Sequence, residues 1–302
     1  MKLKLILAVV ALLGSQALMS QINRVEVKDP DRMARIDSLL NDVLFGADDL
    51  ESLFIGKQHF QFIYAGTNFN SKTFFAGREI GSNQYNLSGQ LYYMHSVGFF
   101  AGVSGSWYSE LDPNYRTTVI SAGFGKGLKK YPFFRYRFSA DYFLFHVDDP
   151  DFDPLYSSSF NAGFTLKSKK LGTRLDGSLL VGQEFGQQLS WDVYAYLNLA
   201  RFGRFKYLRL EPEVSLFFGS EAAEFLLSEA IIDESTSTEI TSYYKDVFGL
   251  LNVQLQLPLS LSLKNFNLEV SYNYNFPQTV SDSQSYPDAS YFRVSLGYFI
   301  NL

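Results

Sequence analysis

The stretch Tyr291-Phe-Arg-Val-Ser-Leu-Gly-Tyr-Phe-Ile-Asn-Leu302 decides the fold. Taken two at a time it separates into two faces. Phe292, Val294, Leu296, Tyr298, Ile300 and Leu302 are all apolar, while Arg293, Ser295, Gly297, Phe299 and Asn301 are mostly small or polar. A period of two is the signature of a β-strand with one greasy and one wet side. A strand needs a neighbour on each edge, and the chain offers one immediately upstream. Pairing the other edge with the first strand of the set closes a barrel.

Working outward, the same alternation recurs. Phe134, Tyr136, Phe138, Ala140, Tyr142 and Leu144 oppose Arg135, Arg137, Ser139 and Asp141. Leu189, Trp191, Val193, Ala195, Leu197 and Leu199 oppose Ser190, Asp192, Tyr194, Tyr196 and Asn198. Phe266, Leu268, Val270, Tyr272, Tyr274 and Phe276 oppose Asn267, Glu269, Ser271, Asn273 and Asn275. The pattern predicts an all-β antiparallel up-and-down barrel of about 12 strands, at 58–68, 84–95, 98–108, 116–126, 134–147, 156–168, 172–184, 188–200, 206–219, 244–257, 263–276 and 289–302. Most are long enough to cross a bilayer when tilted. Pro212 and Pro258 are the misfits, because proline cannot donate to a ladder.

The connections alternate in kind. Turns at 95–98, 127–133, 168–171, 201–206 and 264–265 are short and basic, with Lys126, Lys129, Lys130, Lys167, Lys169, Lys170, Arg201, Arg204, Lys206 and Lys264 at that end. Those at 69–83, 109–115, 148–155, 220–243 and 277–288 are longer and acidic, and 185–187 is the short exception. Short turns at one end and long loops at the other is the layout of a transmembrane β-barrel. An even strand count returns both ends to one side, so both termini are expected in the periplasm. Net charge is −5, which argues against nucleic acid as a partner. There is no cysteine, which excludes disulfides, thiolate metal sites and cysteine nucleophiles.

Residues 1–20 have the layout of a secretory signal peptide: Lys2 and Lys4, an apolar run from Leu5 to Leu13, then small and polar residues to Ser20. That run is about half the ~20 residues a spanning helix needs. Residues 21–57 read as a periplasmic lead-in. Met33, Ile36, Leu39, Leu40, Val43 and Leu44 recur at helical spacing over 30–45, with Asp29 as N-cap and Pro30 at the first helical position. Such a short amphipathic helix is expected to plug the barrel or to dock a periplasmic partner. Residues 58–302 form the barrel domain.

On this layout and on its final strand, the chain resembles the outer-membrane β-barrel proteins of Gram-negative bacteria. The resemblance implies outer-membrane lipids as its surroundings and assembly by the barrel-insertion machinery, which would read Tyr291–Leu302. Leu302 stands where the family more often ends in an aromatic. It also implies two function classes. One is a non-enzymatic barrel, a narrow porin-like channel or a subunit of a surface or secretion assembly. The other is an outer-membrane lipid hydrolase of the phospholipase or lipid A deacylase type.

With the aromatic faces toward lipid, the lumen receives Arg135, Arg137, Asp141, Arg174, Asp176, Asp192, Arg209, Glu211, Glu213, Glu269 and Arg293. Such residues either fill the barrel as a salt-bridge network or form the constriction of a polar pore. His59, His95 and His146 fall at different edges and do not make one metal site. Asp148, Asp149, Asp151 and Asp153 are weak candidates for Ca²⁺ or Mg²⁺, without the spacing of an EF-hand. Gly-rich phosphate loops, HExxH and GxSxG are absent, so no cofactor is implied. The first long loop, 71–81, carries aromatics, two glycines and Arg78, and could fold inward over the pore.

Overall fold

A computed structural model of the chain describes residues 61–302, apart from 76–77, 80–83, 129, 149–151, 153, 155, 169, 204–205, 221–247, 264 and 279–286. The expected signal peptide 1–20, the expected lead-in 21–57 with the helix read over 30–45, and His59 lie outside these residues. Twelve crossings are described: β1 (Gln61–Asn70), β2 (Asn86–His95), β3 (Phe99–Tyr108), β4 (Tyr115–Leu128), β5 (Tyr131–Phe145), β6 (Tyr156–Lys167), β7 (Leu171–Gly182), β8 (Phe185–Ala195, continuing as Leu197–Gly203), β9 (Lys206–Leu210, continuing as Glu213–Ser220), β10 (Phe248–Leu263), β11 (Phe266–Pro277) and β12 (Ala289–Asn301).

Each crossing pairs antiparallel with its chain neighbours, and β12 pairs with β1 from Phe62↔Asn301 to Asn70↔Arg293. The ring is closed and leaves no edge unpaired. The fold is therefore the expected up-and-down barrel. Residues 61 and 302 meet where the Leu302 amide donates to the Gln61 carbonyl at 3.1 Å, at the short-turn end. Within the first long connection, Phe74–Phe75 and Arg78–Glu79 add a two-residue hairpin.

Polarity is inverted relative to a water-soluble core. Outward positions are apolar and exposed: Phe138 at 50%, Phe160 at 56%, Phe292 at 55%. Inward positions hold the buried asparagines, serines, arginines and carboxylates. An apolar belt around the whole circumference is stable only against lipid. Its upper rim carries stacked aromatics, with ring centroids 5.8 Å apart for Phe69 and Tyr85, and 5.7 Å for Tyr85 and Trp107. Such rings suit a membrane–water boundary.

Several boundaries are corrected. The expected strand 244–257 is Phe248–Leu263, so the alternation through Leu255, Leu257, Leu259, Leu261 and Leu263 continues in one crossing. Pro258 does not end it, because its carbonyl accepts the Glu211 amide at 3.0 Å. Its missing N–H thus faces the point where β9 breaks, at residues 211–212. Pro212 fills that break, its own carbonyl accepting the Ala195 amide at 3.0 Å beside the interruption in β8. The connection placed at 185–187 is strand; the turn is at Gln183 and Glu184, with the Gly182 amide bonded to the Glu184 carbonyl. The turn at 95–98 needs its glycine: Gly98 has φ 108°, and a Cβ there would meet the Gly125 carbonyl at 2.5 Å.

Candidate functional site: the barrel lumen

Strand parity alone sends alternate side chains inward. The eleven charged residues named from the sequence are all buried: Arg135, Arg137, Asp141, Arg174, Asp176, Asp192, Arg209, Glu211, Glu213, Glu269 and Arg293. Arg137 is 0% exposed and Arg293 1%. Burying a charge is expensive unless it is paired, and register supplies the pairs. Arg135 lies opposite Thr165, which lies opposite Arg174, and that faces Asp192 on β8. Two residues along, Arg137 faces Gly163, and that glycine faces Asp176.

The result is one continuous ionic chain. Arg137 Nη2 donates to Asp176 Oδ1 at 2.9 Å. Arg174 Nε lies 3.1 Å from Asp176 Oδ2 and donates to Asp192 Oδ2 at 2.6 Å. Its Nη2 reaches toward Glu213 Oε1 at 3.6 Å. Glu213 also accepts from Ser215 at 3.1 Å and from Gln256 at 3.2 Å. The chain runs from β5 to β10 around about half the wall. Asp141 sits beside it, accepting from Asn161 at 2.7 Å and Ser159 at 3.1 Å. Arg209 donates to Asn198 at 2.8 Å and lies 3.6 Å from Glu211; its guanidinium stands 4.1 Å from the Tyr207 ring centroid.

Gly163 has a specific job in this chain. A Cβ there would fall 2.2 Å from Asp176 Oδ1 and 3.1 Å from Arg137 Nη2. The bare backbone is what lets the carboxylate lie across β6 to reach Arg137. Aromatics use other glycines the same way. Tyr92 covers Gly102, and Phe100 covers Gly123. With Phe62, Tyr64 and Met94 they fill the short-turn end of the lumen on the β1–β3 side.

The other half of the wall, from β10 through the closing seam to β2, is lined by carboxamides. Asn252 and Gln254 both donate to Asn275 Oδ1, at 2.9 and 2.8 Å. Asn70 donates to Asn86 Oδ1 at 2.9 Å, and Asn86 donates to Thr73 Oγ1 at 3.0 Å. Thr73 and Phe74 are buried, with Phe74 stacked 4.8 Å from Tyr291. The first long loop therefore starts by folding inward over the mouth. Charge counting missed this amide half. Its signal was present in Asn273 and Asn275 on the wet face of β11, but neutral residues do not announce themselves as a site.

The remaining sequence candidates stay apart. His95 lies in a short turn, and its Nδ1 accepts the Val97 amide at 3.2 Å. His146 is exposed on the outer surface at the long-loop end, Nε2 3.0 Å from Thr118 Oγ1, with its ring 5.0 Å from Tyr115. Asp148 is exposed, and Asp149, Asp151 and Asp153 lie outside the described residues.

No protein-family model matches the sequence, and no curated protein matches it. Solved barrels do resemble the structure. The KdgM porin is 9% identical, with TM-score 0.45, over 78% of this chain and 98% of its own. LpxR from Salmonella typhimurium is 11% identical, with TM-score 0.46, over 79% and 100%. Pseudomonas aeruginosa OprD is 13% identical, with TM-score 0.37, over 80% and 67%. At such values the likeness bears on neither solute nor chemistry. The closed ring, the apolar belt and the polar lumen stand on their own: the architecture is that of an outer-membrane β-barrel.

Proposed function

We propose that the barrel is a non-enzymatic, narrow outer-membrane channel for small polar solutes, with the ionic chain from Arg137 to Glu213 as its constriction. Eight-stranded barrels are filled by side chains and 16–18-stranded ones hold an aqueous channel; twelve strands fall between. The observation that carries the reading is a closed twelve-stranded ring whose inward positions are largely polar and charged; the burial of Arg137 at 0% and Arg293 at 1% makes the passage narrow. A wide water column would leave them wet. Conduction then requires the Arg137–Asp176 contact to part. In this reading the short-turn end faces the periplasm, both termini lie there, and a helix over 30–45 is placed to meet a periplasmic partner or the lumen. Conductance of the purified protein in planar bilayers tests it; a fully inserted but silent protein refutes it.

A second reading, lipid hydrolysis, rests on the outer surface. There an imidazole and a hydroxyl, His146 and Thr118, lie 3.0 Å apart beside Tyr115, facing the membrane boundary. It requires release of fatty acid from phospholipid or lipid A vesicles that is lost in His146→Ala. No release with Ca²⁺ present removes it.

A further inference from the structure

The amide half of the lumen carries an imbalance of hydrogen-bond donors and acceptors. Asn252, Gln254 and Asn275 are each 0% exposed. Two of them donate to the same acceptor, Asn275 Oδ1. Sharing one acceptor strands the rest: among the described residues, Asn252 Oδ1, Gln254 Oε1 and Asn275 Nδ2 have no hydrogen-bond partner, and neither does Gln256 Oε1 one step along β10. Buried polar atoms are almost always paired; among the described residues unpartnered ones occur elsewhere on the wall too, at Asp141 Oδ1 and Asn161 Oδ1, but here four stand next to one another. The register sets them side by side, Gln254 opposite Asn275 and Gln256 opposite Asn273, with Asn273 opposite Tyr291. The Tyr291 ring, tilted against Phe74 with centroids 4.8 Å apart, lies next to them at the long-loop mouth, and its hydroxyl accepts from Gln254 Nε2 at 3.4 Å.

We infer that these carboxamides and the Tyr291 ring form a binding site for a neutral saccharide entering from the long-loop side. The inference rests on the channel reading and names its solute class. A hydroxyl is donor and acceptor at once, so a run of hydroxyls satisfies three stranded carbonyls and one stranded amide N–H together. A metal cation would meet the carbonyls but not the N–H, and an anion the reverse. The site adds no net charge of its own; the charged neighbours on this half, Glu269 and Arg293, are of opposite sign, and Glu213, which accepts from Gln256, is paired toward Arg174. Few and precisely aimed polar groups beside an apolar face are how small-molecule sites fix orientation.

The test is calorimetric titration of the full-length barrel refolded in a zwitterionic detergent free of sugar, with maltotriose, gluconate and glucosamine as probes. Maltotriose is expected to bind with Kd of about 1 mM, at least ~10-fold tighter than either charged sugar. Gln254→Leu and Asn275→Leu are each expected to weaken it by ~10-fold or more. Three results overturn the inference: no heat from maltotriose up to about 100 mM, equal affinity for the charged sugars, or unchanged binding by a Gln254→Leu protein with a native circular dichroism spectrum. If the variants do not fold, the three-sugar comparison on the wild-type chain still decides. Sugar binding by a protein silent in bilayers refutes the channel and leaves the site standing; conductance without sugar binding does the reverse.

Discussion

Asp176 is the junction of the ionic chain, and removing its charge is the sharpest probe of whether that chain holds the barrel. Its two oxygens serve two guanidiniums, Arg137 at 2.9 Å and Arg174 at 3.1 Å. Breaking a buried pair by deleting one partner costs about 3–5 kcal/mol, because the other charge stays buried and uncompensated. Arg174 keeps Asp192, at 2.6 Å from its Nε, and Arg137 keeps further contacts of its own, so the loss in Asp176→Asn falls at the low end of that range. About 3 kcal/mol is the expected cost. Arg137→Met is expected to cost somewhat less, since Asp176 retains Arg174.

The two losses are not independent. Once Arg137 is gone, neutralising Asp176 no longer strands it, so the double variant should lose about 3 kcal/mol instead of the summed 5 to 6. The coupling energy is then about 2 kcal/mol. Equilibrium unfolding in urea from lipid vesicles reads it through tryptophan emission. Trp191 is the useful reporter, next to Asp192 in β8 and bonded through its indole N–H to Thr173 at 2.8 Å. Losses that add within about 0.5 kcal/mol would show that the contact carries no mutual stabilisation, and the constriction argument would fall with it.

Adding one methyl group at Gly163 should act through the same junction. Moving a carboxylate from 2.2 Å to ordinary contact displaces it by roughly 1 Å, so Gly163→Ala is expected to destabilise by 1–3 kcal/mol, about the cost of overpacking. Its bilayer conductance should also differ from wild type, and an unchanged unfolding midpoint and conductance would contradict the geometry. Placement of the membrane has its own probe. Phe138, 50% exposed at the middle of β5, should cost about 2–4 kcal/mol as Phe138→Arg, whereas Phe133→Arg at the strand's basic end should cost about 0–1. Equal costs in vesicle unfolding would refute the assigned depth. In single-channel records, Arg137→Met should move the reversal potential toward cation preference, because it removes one positive charge from an interior with six buried arginines and six buried carboxylates among the described residues. A shift toward anions would refute the constriction.

What the sequence could and could not show follows from how much each feature depends on neighbours. Parity is a single choice per strand. Once Phe134 and Tyr136 are assigned to lipid, Arg135 and Arg137 have nowhere to go but inward, and eleven buried charges follow without any knowledge of register. Pairing is different. Arg137 meets Asp176, 39 residues away, only because β6 crosses between them with a glycine at that level. That glycine is one of 22 in the chain, and nothing local distinguishes it. Pro258 misled for the same reason. A proline interrupts a ladder when the neighbouring strand needs its N–H, but the neighbour it faces, β9, is broken at that level, and that break lies some 46 residues upstream. The division of the lumen into an ionic half and an amide half is the most non-local feature of all. It appears only when β10, β11, β12, β1 and β2 are known to stand side by side, which requires the seam. The seam is also where the final strand, Ala289–Asn301, sets Arg293 against Asn70, with Arg293 Nε donating to Asn70 Oδ1 at 3.4 Å. Closure therefore brings one of the buried charges into the amide half, against the seam carboxamide of Asn70.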